Sequence, residues 1–124
     1  MPRRTPSATG LDRANEPAVL ILTSLASGSK HGYALTKDIE AFAGVTLGPG
    51  TLYGAIARLD ERGLIEAQAS DDRRRPYRIT AAGRAALASA VRDMRVVADE
   101  GAARLGIAMT LTASRTSASR RWAP

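Results

Sequence analysis

Residues 48–80 read GPGTLYGAIARLDERGLIEAQASDDRRRPYRIT. At 3.6 residues per turn, Leu52, Ala55, Ile56, Leu59 and Gly63 fall on one side of a helix. Thr51, Gly54, Ala57, Arg58 and Glu61 fall on the other. Pro49 suits the first helical position, where a missing N–H costs nothing. Gly63 is placed to end the helix in a left-handed conformation. Leu64 to Ala69 and Tyr77 to Thr80 then read as two short strands. The SDDRRRP segment between them is rich in turn formers. A helix followed by a two-stranded ribbon with a basic tip is the plan of a winged helix.

The small residues Gly54 and Ala57 let a helix backbone approach a DNA major groove, which is about 12 Å wide. Thr51, Tyr53 and Arg58 are then placed to reach phosphates or base edges. The same small residues also suit a surface helix packed on a neighbour. Arg73, Arg74 and Arg75 repel one another at the ribbon tip unless a polyanion is near, although a charge run alone also fits a solvated face. Helix and ribbon together carry the expectation of DNA contact.

Outward from this stretch the chain divides into four parts. Residues 1–15 carry Arg3, Arg4 and Arg13 among Pro, Ser and Gly with no period, the pattern of a disordered basic arm. Residues 16–80 are the expected winged helix-turn-helix domain. Its first helix, Glu16 to Ser27, has Asn15 as a candidate cap and is apolar nearly all round at Val19, Leu20, Ile21, Leu22 and Leu25. That pattern calls for burial between the domain core and a second copy of the chain. SGSKHG makes a turn. The second helix, His31 to Ala43, has Leu35, Ile39 and Phe42 as its buried stripe, with Lys37, Asp38 and Glu40 in water. His31, the only histidine, has a local role at the helix start, and Tyr33 is a core or dimer-facing aromatic. Gly44 stops this helix.

Thr80 caps a fourth helix that runs to Leu105, within a segment 81–106. Leu87, Val91, Met94, Ala98, Gly101 and Leu105 recur by four and three residues, a seam of two to three heptads. A helix of this length exceeds what so small a domain covers, which favours a dimerisation role over packing on its own domain. Residues 107–124, with Arg115, Arg120, Arg121 and a lone Trp122, read as a disordered tail.

HGYALTKDIE at 31–40, TLYGAIARLDERGLIEAQ at 51–68 and RRRPYRITAAGRAAL at 73–87 resemble the PadR family of winged-helix regulators. The matching positions are His31-Gly32-Tyr33, Thr51-Leu52-Tyr53, Leu59, Gly63-Leu64-Ile65, Tyr77, Thr80, Gly83 and Leu87, within about residues 16 to 106. Gly54 stands where many members have proline, and Pro76 where many have an aromatic or small residue. The resemblance implies a mainly α fold with a small two-stranded β wing (α+β) and a C-terminal dimerisation helix. By analogy with the family, Thr51 and Tyr53 are expected on phosphates.

Composition bounds the alternatives. The chain has 124 residues, 44% of them hydrophobic, with one Trp, three Tyr and one Phe. One domain with a core mainly of Leu, Ile, Val and Ala follows, and assembly would supplement its stability. The absence of cysteine excludes disulfides and thiolate metal sites and suits the cytoplasm. No apolar run approaches the about 20 residues of a membrane span. No nucleophile, carboxylate pair or phosphate loop suggests an enzyme, a cofactor or a metal. The net charge of +6 is uneven: residues 16–69 hold four basic and six acidic groups, whereas residues 70–80 hold four arginines against Asp71 and Asp72. Affinity for a polyphosphate must therefore come from the wing, the ends and dimer pairing.

Two function classes remain. One is a homodimeric regulator, a repressor on a near-palindromic operator in double-stranded DNA, with a small-molecule effector as a further candidate partner. The other is a winged-helix module for protein contact, with no specific DNA site.

Overall fold

A helix that is apolar nearly all round calls for burial on several sides, and α1 (Pro17–Leu25) buries most of its apolar residues within its own chain. Leu20, Ile21, Leu22 and Leu25 are buried, and α1 packs on α2 (Gly32–Ala43), on α3 (Pro49–Glu61) and on strand β2 (Tyr77–Ile79). Each such side chain contributes about 1.5–3 kcal/mol by leaving water. Val19 is half-buried and Thr23 exposed, so part of the helix surface stays outside this cover. The remaining elements are β1 (Ile65–Ala67) and α4 (Ala81–Leu105). The fold is mainly α with one small antiparallel sheet. These elements come from a computed structural model, which describes residues 15–70 and 75–108. Residues 1–14 of the expected basic arm, Arg73 and Arg74 of the wing tip, and the tail from Met109 with Trp122 lie outside the described residues. The chain forms two compact units, one ending at Val91 and the other beginning at Arg92.

In the first unit the core is built on Ile21, Leu25, Leu35, Ile39, Val45, Leu59 and Ile65. α3 behaves as its periodicity requires: Leu52, Ala55, Ile56 and Leu59 are buried, and Thr51, Ala57, Arg58 and Glu61 are exposed. Pro49 starts the helix. Gly63 follows it at φ +74°, the left-handed conformation that only glycine adopts freely. The Leu64 N–H then returns to the Leu59 carbonyl at 2.9 Å. Val45 and Leu47, in the link between α2 and α3, are buried around an exposed Thr46. Their apolar–polar–apolar alternation is a local signal for an extended link that drops two side chains into the core.

Several expectations for the first two helices need correction. Asn15 does not cap α1; Glu16 holds the cap position in extended backbone with no side-chain bond. The helix is shorter than Glu16–Ser27 because the chain turns over Ser27 and Gly28. His31 does cap α2, its Nδ1 accepting from the Ala34 N–H at 3.4 Å. Phe42 is not in the buried stripe but 48% exposed, and Tyr33 is 65% exposed and outside the core. Asp38 does not simply face water. It accepts a 2.6 Å hydrogen bond from the hydroxyl of Ser24, which is buried. Lys30 Nζ stands 3.9 Å from the same carboxylate and donates to the Ser24 carbonyl at 2.5 Å and the Ser27 hydroxyl at 2.9 Å. The last carbonyls of α1 thus receive a cation, as the helix dipole favours. Arg84 adds a bond to the Ala26 carbonyl at 3.3 Å.

The strands are three residues each, shorter than the sequence suggests, paired Ile65 with Ile79, Glu66 with Arg78 and Ala67 with Tyr77. The turn before α2 joins them: the Lys30 N–H donates to the Tyr77 carbonyl at 3.1 Å, and the Tyr77 N–H to the Lys30 carbonyl at 2.9 Å. Beyond β2, Thr80 ties the wing to the exit of α3. Its N–H donates to the Leu64 carbonyl at 3.1 Å and its hydroxyl to the Gly63 carbonyl at 2.7 Å. The same hydroxyl accepts from the Gly83 N–H at 3.0 Å, which caps α4. Gly83 is buried because α4 presses on the backbone here; a Cβ would overlap the Leu64 carbonyl oxygen and stand 2.8 Å from Ile79 Cγ1. Leu87, one turn on, is half-buried against the core of the same unit.

In the second unit, Arg95 pairs with Asp99 at 3.3 Å and Arg104 with Glu100 at 2.8 Å, both one turn apart along α4. The helix closes through Gly106, with the Ile107 N–H on the Ala102 carbonyl at 2.9 Å. Among the described residues of this unit only Ala102, outside the expected seam, is buried.

Thr80→Val keeps the shape and removes both hydroxyl bonds. It is expected to cost about 1–2 kcal/mol and to lower the melting temperature by about 5–10 °C. Thermal unfolding followed by circular dichroism checks this.

Candidate nucleic-acid interface

The exposed side of α3 is made of residues that occupy little space or carry polar ends. Thr51, Ala57 and Arg58 are exposed and Gly54 is half-buried. Arg58 lies back along the helix toward Gly54: a Cβ built on Gly54 would stand 3.6 Å from Arg58 Nη1, ordinary contact distance. The guanidinium lies over the low part of the helix surface. Tyr53 borders the buried side and is 52% exposed. Its phenol lies against the α-carbon of Gly32 at the start of α2. The HGY and TLY motifs are therefore in contact through their second and third residues, Gly32 and Tyr53. The sequence hinted at this contact only by carrying both motifs.

On α2, Tyr33 presents an open ring with Lys37 Nζ 5.7 Å from its centroid, within the range of a cation–π contact. Lys37 also pairs with Glu40 at 3.8 Å, and Glu40 accepts from the Thr46 hydroxyl at 3.1 Å. This exposed aromatic and cation were not among the residues expected to serve the site.

At the wing, Arg75 is described and exposed. It is the one residue of the expected arginine triplet that the structure describes. Arg78 is not free: its Nε and Nη2 donate to Glu66 Oε1 at 3.1 and 2.8 Å across the strand pair. The register puts these two residues directly opposite each other. The root of the wing is locally neutral. Of the expected dimerisation residues, Val91 is 48% exposed, Leu105 74% exposed, Ala98 exposed and Met94 half-buried, while Leu87 serves its own core. Val96 and Val97, absent from the expected seam, are 67% and 72% exposed. Among the described residues no group of three or more His, Asp or Glu side chains is placed to hold a metal ion. No described helix is long and apolar enough to cross a membrane.

Residues 21–89, more than half of the chain, match the model of the transcriptional regulator PadR-like family. The chain belongs to the PadR family. That family consists of transcriptional regulators, which are not enzymes. A transcriptional regulator of Mycobacterium tuberculosis is 41% identical over 83 residues, 64% of this chain and 77% of that protein. An uncharacterised 37.1 kDa protein of a Streptomyces fradiae transposon is 46% identical over 72 residues, 58% of this chain. The match covers only 21% of that transposon protein's length. Among solved structures, a PadR-family regulator from Eggerthella lenta superposes with a TM-score of 0.62 at 28% identity, over 71% of this chain and 80% of that one. A transcriptional regulator from Clostridium thermocellum gives 0.61 at 28% identity, over 67% and 84%. A PadR-family regulator from Clostridium difficile shares the fold with a TM-score of 0.65 at 22% identity, over 73% and 98%. The PadR winged helix is thus common to this chain and these structures.

Both members of the Glu66–Arg78 pair are about half exposed, at 51% and 45%. Glu66→Gln is expected to cost less than about 1 kcal/mol in urea unfolding. It should also raise retention on a heparin column, because Arg78 loses its internal counter-charge.

Proposed function

We propose that this PadR-family chain is a homodimeric DNA-binding repressor that recognises a near-palindromic operator. The observation that carries the reading is the division of α3 into a buried apolar side and an exposed side bearing Thr51, Ala57 and Arg58, with exposed Arg75 at the wing. Low relief on the helix admits close approach to a groove, and the polar ends are placed for phosphates and base edges. In this proposal Thr51 and Tyr53 bind phosphates, Arg58 reaches the groove, and Arg73, Arg74 and Arg75 bind phosphates or enter a minor groove. The kinship with a regulator of Mycobacterium tuberculosis supports a role in transcription.

Dimerisation would run along α4. Val91, Met94, Ala98, Gly101 and Leu105 recur at helical spacing, and Val91 and Leu105 are large apolar side chains left in water. Leu87 would anchor the seam to each domain core. Two copies would place two recognition helices on one duplex, which is what a two-fold operator requires. A small-molecule effector would act by favouring a dimer geometry that mismatches the half-site spacing. The protein would work in the cytoplasm, where its operator lies.

A second reading, a winged helix used for protein contact, draws on the acidic balance of residues 16–69 and on the exposed Tyr33 and Phe42. A gel shift on the DNA upstream of the chain's own gene separates the two. A discrete shifted band that resists scrambled competitor supports the repressor, and smearing at high protein only supports protein contact.

Replacing Arg73, Arg74 and Arg75 together with alanine is expected to weaken binding to operator and scrambled duplex alike if they hold phosphates. The slope of log affinity against log salt should flatten by about 0.9 for each phosphate no longer neutralised. Selective loss on A·T-rich flanks would instead mark minor-groove reading. An unchanged slope on both duplexes removes the wing from the interface.

Light scattering tests the assembly. The wild type is expected to be dimeric at micromolar concentration. Val91→Glu, which buries a charge opposite its symmetry mate, should weaken the dimer by about a hundredfold or more. A folded wild-type monomer at that concentration would contradict the seam.

A further inference from the structure

We infer that Gly32 is a positioning residue for DNA binding, acting through Tyr53. The inference rests on the DNA-binding reading above. A Cβ built on Gly32 would overlap the Tyr53 phenol oxygen and stand 2.8 Å from Cζ and 3.3 Å from Cε1. Two heavy atoms do not share that space, so the phenol occupies its present place only because residue 32 has no side chain. The contact joins the first residue of α2 to the fifth residue of α3.

The geometry separates function from stability. Tyr53 is 52% exposed, and the clashing atoms are the far end of its side chain rather than backbone. A methyl group at position 32 would therefore be relieved by swinging the phenol into solvent, with little cost to the core. Gly32 does not need its glycine for backbone reasons, since it has no left-handed φ and sits inside a regular helix. What glycine secures is the address of the hydroxyl. That hydroxyl makes no hydrogen bond with any described residue and stands beside the start of α2, free to donate outward. A phenol donor held in one place loses less freedom on meeting a phosphate oxygen than one that must be gathered from several rotamers. The small residue on one helix thus sets the reach of a polar residue on the next.

The experiment compares wild type, Gly32→Ala, Tyr53→Phe and the double variant, all as full chains, by thermal unfolding and by salt titration of binding to the operator duplex. Gly32→Ala is expected to melt within a few degrees of wild type or slightly above it, since alanine is the better helix former. Its operator affinity should fall about tenfold for each protomer engaged, the scale of one charge-assisted hydrogen bond. The slope against log salt should stay at the wild-type value, as in Tyr53→Phe, because the uncharged phenol neutralises no phosphate. In the Tyr53→Phe background, Gly32→Ala should add no further loss, because the hydroxyl is already gone. Wild-type affinity in Gly32→Ala, or losses that simply add in the double variant, overturn the inference while leaving the repressor reading intact. Failure of the wild type to prefer operator over scrambled duplex overturns the repressor reading and this inference with it.

Discussion

The relative placement of α3, the wing and the start of α4 rests on the carbonyls of Gly63 and Leu64. These are the groups a helix leaves exposed where it turns away. Thr80 reaches both from the far end of the wing, through its N–H and its hydroxyl, and the same hydroxyl starts α4 by accepting from Gly83. One side chain therefore fixes three elements at once, and it does so with polar groups that would otherwise require water. Gly83 lets α4 come close enough for the bonds to form. The wing is only two three-residue strands, too little to hold an orientation alone. It is held because its outgoing end is bolted to the helix that precedes it.

The winged helix is legible in the sequence because its signals are local. The α3 periodicity, the proline that begins it and the glycine that ends it all act within one or two turns. The same is true of the His31 cap, where donor and acceptor are three residues apart. The α1 pattern signals a helix buried on several sides, and α2, α3 and β2 of its own chain supply that cover for Leu20, Ile21, Leu22 and Leu25. Hydrophobicity records that a surface is buried and carries no record of what buries it. Phe42 misleads for the converse reason. It keeps helical register with Leu35 and Ile39, yet in the last turn of α2 it stands half in water.

Pairs brought together by tertiary contact leave no such trace in the sequence. Ser24 with Asp38, Lys30 with Tyr77 and Gly32 with Tyr53 are each ordinary residues alone. Ser24 and Asp38 look like surface residues until α1 and α2 cross and place a buried hydroxyl against a carboxylate. Arg78 looks like part of the basic wing, yet register sets it against Glu66 and removes it from the free charge. The candidate site is therefore legible as a set of residue types on α3 and the wing. Its fine structure, in which one arginine is neutralised and one tyrosine is seated on a glycine, is not.

The ladder between Lys30 and Tyr77 also bears on how the chain reaches this structure. These two residues close a loop that contains α2, α3, β1 and the wing. Closing so long a loop carries a chain-entropy cost that the local bonds of a helix, four residues apart, do not. The pairing becomes favourable only once the helices have docked and shortened the path. The three helices are thus suited to condense first around Ile21, Leu25, Leu35 and Leu59, with the sheet zipped up late along β2. A segment that locks late in folding is also among the first to open in the native state. The two strands are then expected to exchange their amide protons sooner than α1.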